Sequence, residues 1–277
     1  MPYRHAWLWV LGLFPAVALA FWPSYFGRLG SVSWILHAHG ITSALWVALL
    51  AVQSWSIHRD ARPLHKLSGR TSLALFPLFW VSGLLIVQMM AGGFAAKDGP
   101  FHILFGARLT PVDLIGSLIV LYLYWLAVSR RRAVLVHAAA MLAIPFFLVT
   151  PIIVRLLQIG GPFAIRGPGE FYKFALGFHL SNALALVVAV AIYTRRPKTA
   201  WPFLVAAGGL ALQSLAFQTL GRAAGWEALM PAVAAVPTPV LAATGLAVSM
   251  AVVAWAWFGA KQGRAAPPRA DAAAITA

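Results

Sequence analysis

The chain has 277 residues, of which 61% are hydrophobic and 10% charged, with a formal charge of +15 and no cysteine. A soluble domain is nearer half apolar and a quarter charged. This composition, with a mean hydropathy of +0.83, therefore excludes a soluble enzyme, a disordered chain and a nucleic-acid-binding domain.

A hydrocarbon core about 30 Å thick needs roughly 20 apolar residues per helix. Eight stretches qualify: 6–26, 33–56, 71–91, 110–129, 134–157, 172–193, 201–219 and 239–258. They predict an all-α polytopic integral membrane protein, with about eight transmembrane helices in one bundle over residues 1–260. Residues 261–277 read as a disordered cytoplasmic tail. In the first stretch, Arg4, His5 and Ala18-Leu19-Ala20 also fit a cleaved signal peptide. The long apolar run, and Trp22, Tyr25 and Phe26 as an interfacial belt, favour a retained helix.

The second stretch carries His39, Trp46 and Gln53 at intervals of seven, with Thr42 and Ser43 beside His39, which makes one polar and aromatic stripe. His37 falls on another face. At the start of the third, Pro63 can open a helix, and His65, Ser68, Ser72 and Phe79 share a side. Asp113 falls at the outer start of the fourth, so no carboxylate is expected in mid-membrane. His137, Met141, Leu148 and Arg155 align along the fifth, and Tyr172, His179 and Asn182 along the sixth. Segments 92–109 and 158–171, rich in Gly and Pro, read as outer loops. The semi-apolar segment 220–238 reads as a third, broken from the last span by Pro237-Thr238-Pro239.

Of the 21 Lys and Arg, fourteen fall on one side: Arg4, the clusters 59–70, 130–132 and 195–198, and the tail. The basic-rich side is cytoplasmic, which predicts a multi-pass protein of the cell membrane with both termini inside.

Histidine is the ionisable residue left for chemistry in the spans. His39 and His179 sit about 10 and 12 Å below the outer helix ends at 1.5 Å per residue. They are expected to face each other, with Trp46 and Asn182 beside them. His65 and His137 lie within roughly 6 Å of the inner boundary and form a second pair. Such pairs suit bis-histidine haem b or a small His-metal site. Packed interhelical histidines are the alternative outside, and histidines meeting lipid phosphate the alternative inside. Arg155 and Arg108, near the outer boundary, suit an anionic headgroup or a haem propionate, or simple snorkelling.

The run His37-Ala38-His39…Trp46…Gln53…Leu64-His65-Lys66-Leu67-Ser68-Gly69-Arg70 resembles a pattern of uncharacterised polytopic bacterial membrane proteins. Arg130-Arg131-Arg132…His137…Met141-Leu142 resembles their second basic segment, although Ala138-Ala139-Ala140 stands where a basic residue often follows the histidine. The match covers roughly 35–157 and implies no assigned activity. In arrangement alone, the chain is similar to cytochrome b561-like proteins, which hold two haems b through histidine pairs near each membrane face. That similarity implies haem b at His39, His179, His65 and His137, as metal ligands, with Arg155 on a propionate. Electrons would then cross the membrane to a quinone or another redox partner. A cofactor-free transporter or channel, and an assembly or structural factor for a membrane complex, are the alternatives. No nucleophile–base pair points to a hydrolase.

Overall fold

The computed structural model describes residues 3–262. The chain is an all-α bundle, with no strand among those residues. The long helices are α1 (Ala6–Phe21), α2 (Trp34–His58), α3 (Arg62–Ala95), α4 (Gly99–Ser129), α5 (Val134–Ala143), α6 (Phe146–Ile159), α7 (Tyr172–Arg195) and α8 (Pro197–Gln218). Two short helices, α9 (Ala224–Glu227) and α10 (Met230–Ala235), precede α11 (Thr238–Gln262). The rest of the expected tail lies outside the described residues.

Seven helical segments among the described residues are long and apolar enough to cross a membrane, with α5 and α6 together making one of them. The eighth expected span, α1, has 16 residues, about 24 Å of rise. It ends before Trp22-Pro23 and packs on α2 and α6. Large apolar side chains face outward along the bundle, including Leu118, Val187 and Trp255 at 62%, 63% and 65% exposure. Side chains of this kind on the outside are what a hydrocarbon solvent requires.

Two boundaries differ from expectation. Residues 92–109 form no long loop: α3 and α4 extend through them to a tight turn. Glycine permits this, because a Cβ at Gly106 would lie 2.9 Å from the carbonyl oxygen of Met90, and one at Gly93 would strike the His102 ring. The span 134–157 is broken at Ile144-Pro145, where proline has no N–H to continue the ladder.

Aromatic rings fill the inner half of the bundle. Trp46 stacks on Phe79 with centroids 5.5 Å apart and 3° between planes. Phe76 stacks on Tyr124 at 3.8 Å, and Trp46 meets Tyr124 edge-on. Tyr124 is fully buried and its hydroxyl bonds Ser72 Oγ at 2.9 Å. This cluster joins α2, α3 and α4.

The outer segment 220–238 is docked rather than loose. Pro111 lacks the N–H that would bond the Ala107 carbonyl. Trp226 Nε1 donates to that carbonyl at 3.0 Å and Thr110 Oγ1 donates at 2.8 Å. Gln88 Nε2 donates to the Val236 carbonyl and accepts from Thr238 Oγ1 through Oε1. Gly221 completes the dock, since a Cβ there would sit 2.6 Å from Arg108 Cα and 2.9 Å from its carbonyl oxygen. Gly221→Ala is therefore expected to destabilise by about 1–3 kcal/mol through overpacking against backbone. Gly225→Ala, where nothing lies within 4 Å, leaves the melting temperature in detergent unchanged. Equal melting of the two variants would contradict the docked arrangement.

Candidate functional site

A cavity of about 1710 Å³ opens between α1, α2, α3, α4, α6 and α7. Residues of the connection between α1 and α2, and of the turn at 96–99, stand in its wall. These lie at the end of the bundle opposite the basic clusters at 59–70 and 130–132, because α2, α3 and α4 run to and fro between the two ends. Most of the wall is apolar, with Phe14, Phe79, Met89, Phe147, Leu148 and Phe178 among its side chains. Its polar groups include His39, Ser43, Asp113, Ser117, Arg155 and Gln213, with Lys97, Asp98 and His102 in the wall at and beside the α3–α4 turn.

Asp113 is not at the start of its helix. Because α4 begins at Gly99, Asp113 lies inside it, 16 residues before Ser129, or about 24 Å from the inner end. That depth is within a core about 30 Å thick, so this span does carry a carboxylate. The sequence does not reveal this, because the hydropathy of 99–109 is weak and the continuous apolar run begins only near 110. Asp113 stands on the cavity wall without a hydrogen bond or ion pair among the described residues.

Arg155 lies across from it on α6. Its guanidinium donates to the Pro151 carbonyl at 3.0 Å and lies over the Phe21 ring at 4.3 Å. Asp113 and Arg155 feel each other's charge, yet none of their N···O distances is within 4.0 Å. Gln213 on α8 donates to the Val112 carbonyl at 2.9 Å and keeps its side-chain oxygen as an acceptor.

His39 faces the same cavity. Its Nδ1 is 3.2 Å from Ser82 Oγ. Ser82 Oγ also lies 2.7 Å from the Phe79 carbonyl and 2.8 Å from Thr42 Oγ1. With the Ser82 proton on that carbonyl, the hydroxyl accepts from Nδ1–H, and Nε2 is left with its lone pair; Ser43 Oγ approaches it only at 3.5 Å. The ring stacks on Phe79, which stacks in turn on Trp46, so Trp46 supports His39 from the core.

The structure does not bring His179 to His39. His39 leans on α3, whereas His179 turns to α8, where its Nε2 meets Gln218 Nε2 at 2.7 Å and its ring meets Phe217. Phe174 and Phe178 of α7 line the cavity, and His179 does not. The two rings share no partner, so this arrangement does not fit a haem iron held between them. The physical reason is helix rotation: matched depth says nothing about which neighbour each face meets. Arg108 accompanies His179, donating to the Phe217 carbonyl and to Gln218 Oε1.

Asn182 serves neither histidine. It is fully buried and ties three helices, accepting from Thr150 Oγ1 at 2.8 Å and donating to Ser214 Oγ and the Leu210 carbonyl.

The inner pair stands at the end of the bundle that carries the basic clusters, where the charge of His65 acts on His137. His65 Nδ1 donates to the Gln53 carbonyl at 3.2 Å, while Gln53 Nε2 donates to the His65 carbonyl and to Ser68 Oγ. His137 Nδ1 donates to the Ala127 carbonyl at 2.8 Å, an acceptor left over in the last turn of α4. The Trp…Gln…Leu-His-basic-x-x-Gly pattern thus has a structural content, a clasp between the ends of α2 and α3. Both rings keep Nε2 for another partner, but neither ring lines the cavity.

Among the described residues no group of three or more His, Asp and Glu could hold a metal ion. Comparison of the chain with protein-family models, with curated proteins and with solved structures finds no match. What can be said of the site therefore rests on its geometry. Asn182→Ala strands the Thr150 and Ser214 hydroxyls and is expected to cost about 1–2 kcal/mol, the upper range for interhelical hydrogen bonds in membranes. Equilibrium unfolding in mixed micelles measures it, and a variant as stable as the parent would show that the Asn182 tie carries no stability.

Proposed function

We propose that this multi-pass membrane protein binds a small amphipathic molecule in the cavity between α1–α4, α6 and α7, and passes or presents it at the membrane. The observation that carries this reading is the cavity itself. It is about 1710 Å³, mostly apolar, and set with an aspartate, an arginine and a histidine inside the bundle. An ionisable side chain within a membrane span is costly and marks a functional path. Large apolar cavities with a few convergent polar groups are where small ligands bind. The positive-inside distribution puts the mouth on the outer side and both termini in the cytoplasm. Lipid contacts the rest of the surface.

The reading is tested by filling the space. Gly83 and Gly92 stand in the cavity wall, and a Cβ at Gly83 meets nothing nearer than Ser117 Oγ at 3.7 Å while one at Gly92 meets nothing within 4 Å, so Gly83→Phe and Gly92→Trp are the filling variants. Native mass spectrometry of the wild-type protein, incubated with a lipid extract of its host membrane, is expected to show one retained amphiphile. The double variant, equally folded, is expected to show none. A wild-type protein that retains nothing would overturn the reading.

A narrower second reading, haem b on the inner histidines with electron transfer to a quinone or another redox partner, is supported by one feature. A ligating imidazole is oriented by donating its other N–H to a carbonyl, and His65 and His137 both do so. His65 and His137 would hold a haem there, which would supply one-electron chemistry. Purified protein expressed with haem supplementation would then show a Soret band and a dithionite-dependent α-band. His65→Ala and His137→Ala would each remove them. A flat spectrum in the wild type sinks this reading and leaves the cavity untouched.

A further inference from the structure

We infer that the ligand of the cavity is a single-tailed zwitterion, its ammonium group held by Asp113 and its anionic group by Arg155. The inference rests on the cavity reading and specifies its chemistry.

The argument starts from two charges that the fold does not pair. Asp113 has neither a hydrogen bond nor an ion pair among the described residues. Arg155 spends one donor on the Pro151 carbonyl and keeps most of its five. Both line one cavity, and their separation exceeds the 4.0 Å of an ion pair. Leaving charges of opposite sign apart in a low-dielectric space is expensive, and a direct bridge would relieve the cost. Both instead line one open space, where a guest can meet each of them. A molecule that carries an ammonium and an anionic group satisfies both at once and enters with no net charge, so it adds no uncompensated charge to the membrane interior.

The surroundings define the rest of the guest. The Arg155 fork matches a carboxylate or phosphate in two-point fashion. The ammonium offers three donors; Asp113 accepts from it, and Ser43 and His39 stand in the same wall as further polar groups. Beyond these groups most of the wall is Phe, Leu, Met and Val, which receives an acyl or alkyl chain, and the other charged side chains, Lys97 and Asp98, stand at the turn between α3 and α4.

The test compares probes with one C14 chain and different heads, in binding to the purified protein by native mass spectrometry in nonionic detergent. The heads are lysophosphatidylethanolamine, with ammonium and phosphate; lysophosphatidic acid, with phosphate alone; and a monoacylglycerol, with no charge. Phosphoethanolamine without a chain is the fourth probe. Lysophosphatidylethanolamine is expected to bind at least about tenfold more tightly than the other three, the scale of one charge-assisted contact. Asp113→Asn should remove its advantage over lysophosphatidic acid, and Arg155→Gln should bring lysophosphatidic acid down to the monoacylglycerol and weaken lysophosphatidylethanolamine by at least about tenfold. Asp113→Glu should keep the order of heads.

If Asp113→Asn or Arg155→Gln fails to fold, the head-group order on the wild-type protein still decides. Equal binding of the three lipids overturns the zwitterion and leaves the cavity reading standing. Preference for lysophosphatidic acid overturns the role of Asp113. Phosphoethanolamine binding as tightly as the lipid overturns the tail. Binding of none of the probes, with no amphiphile retained from the lipid extract, overturns the cavity reading itself.

Discussion

Inside a bilayer a backbone carbonyl without a partner has no water to turn to, and the bundle is organised around meeting that demand wherever a helix is interrupted. Pro111 frees the Ala107 carbonyl, and the indole of Trp226 takes it, which holds the 220–238 segment over α3 and α4. The end of α4 leaves the Ala127 carbonyl, and His137 takes it from the start of α5. The polar side chains that look most like chemistry in the sequence are, in several cases, answering this demand.

That places the histidines in a different light from one another. His65 and His137 have structural work on Nδ1 and a free Nε2. His179 is paired with Gln218 and packed on Phe217. His39 alone among the four faces a large open space, steadied by Ser82 and by the stack of Phe79 and Trp46. Asp113 and Arg155, from α4 and α6, stand in the wall of the same space.

The cavity and the tight core are two halves of one packing solution. Where α2, α3 and α4 meet in the inner half, stacked aromatic rings fill the volume and leave no room. Towards the outer end, the break at Ile144-Pro145 and the prolines at 111 and 151 interrupt regular packing, and small residues such as Gly40, Gly83 and Gly92 stand in the wall instead of large ones. Close helix approach at Gly106 and Gly221 nearby shows that the glycines do both jobs, closing the outer rim in one place and leaving space in another.

The helical class and most of the spans were legible in the sequence, because hydropathy over some 20 residues is a local property and lipid leaves the backbone few alternatives. The stripe of His39, Trp46 and Gln53, and the place of His65 near His137, were legible for the same reason: they follow from helical period and from short connections. The continuation of α3 and α4 through 92–109 was not, because glycines there promise a loop when read singly and permit close helix packing only when a second helix is present. The break at Pro145 was hidden by an unbroken apolar run. The meeting of Asp113 with Arg155 across an open space, and the turning of His179 towards α8, were decided by the tertiary structure alone. Sequence sets how deep a residue sits on its helix, but the rotation of each helix about its axis is set by side chains packed between helices, and that rotation chooses which residues meet.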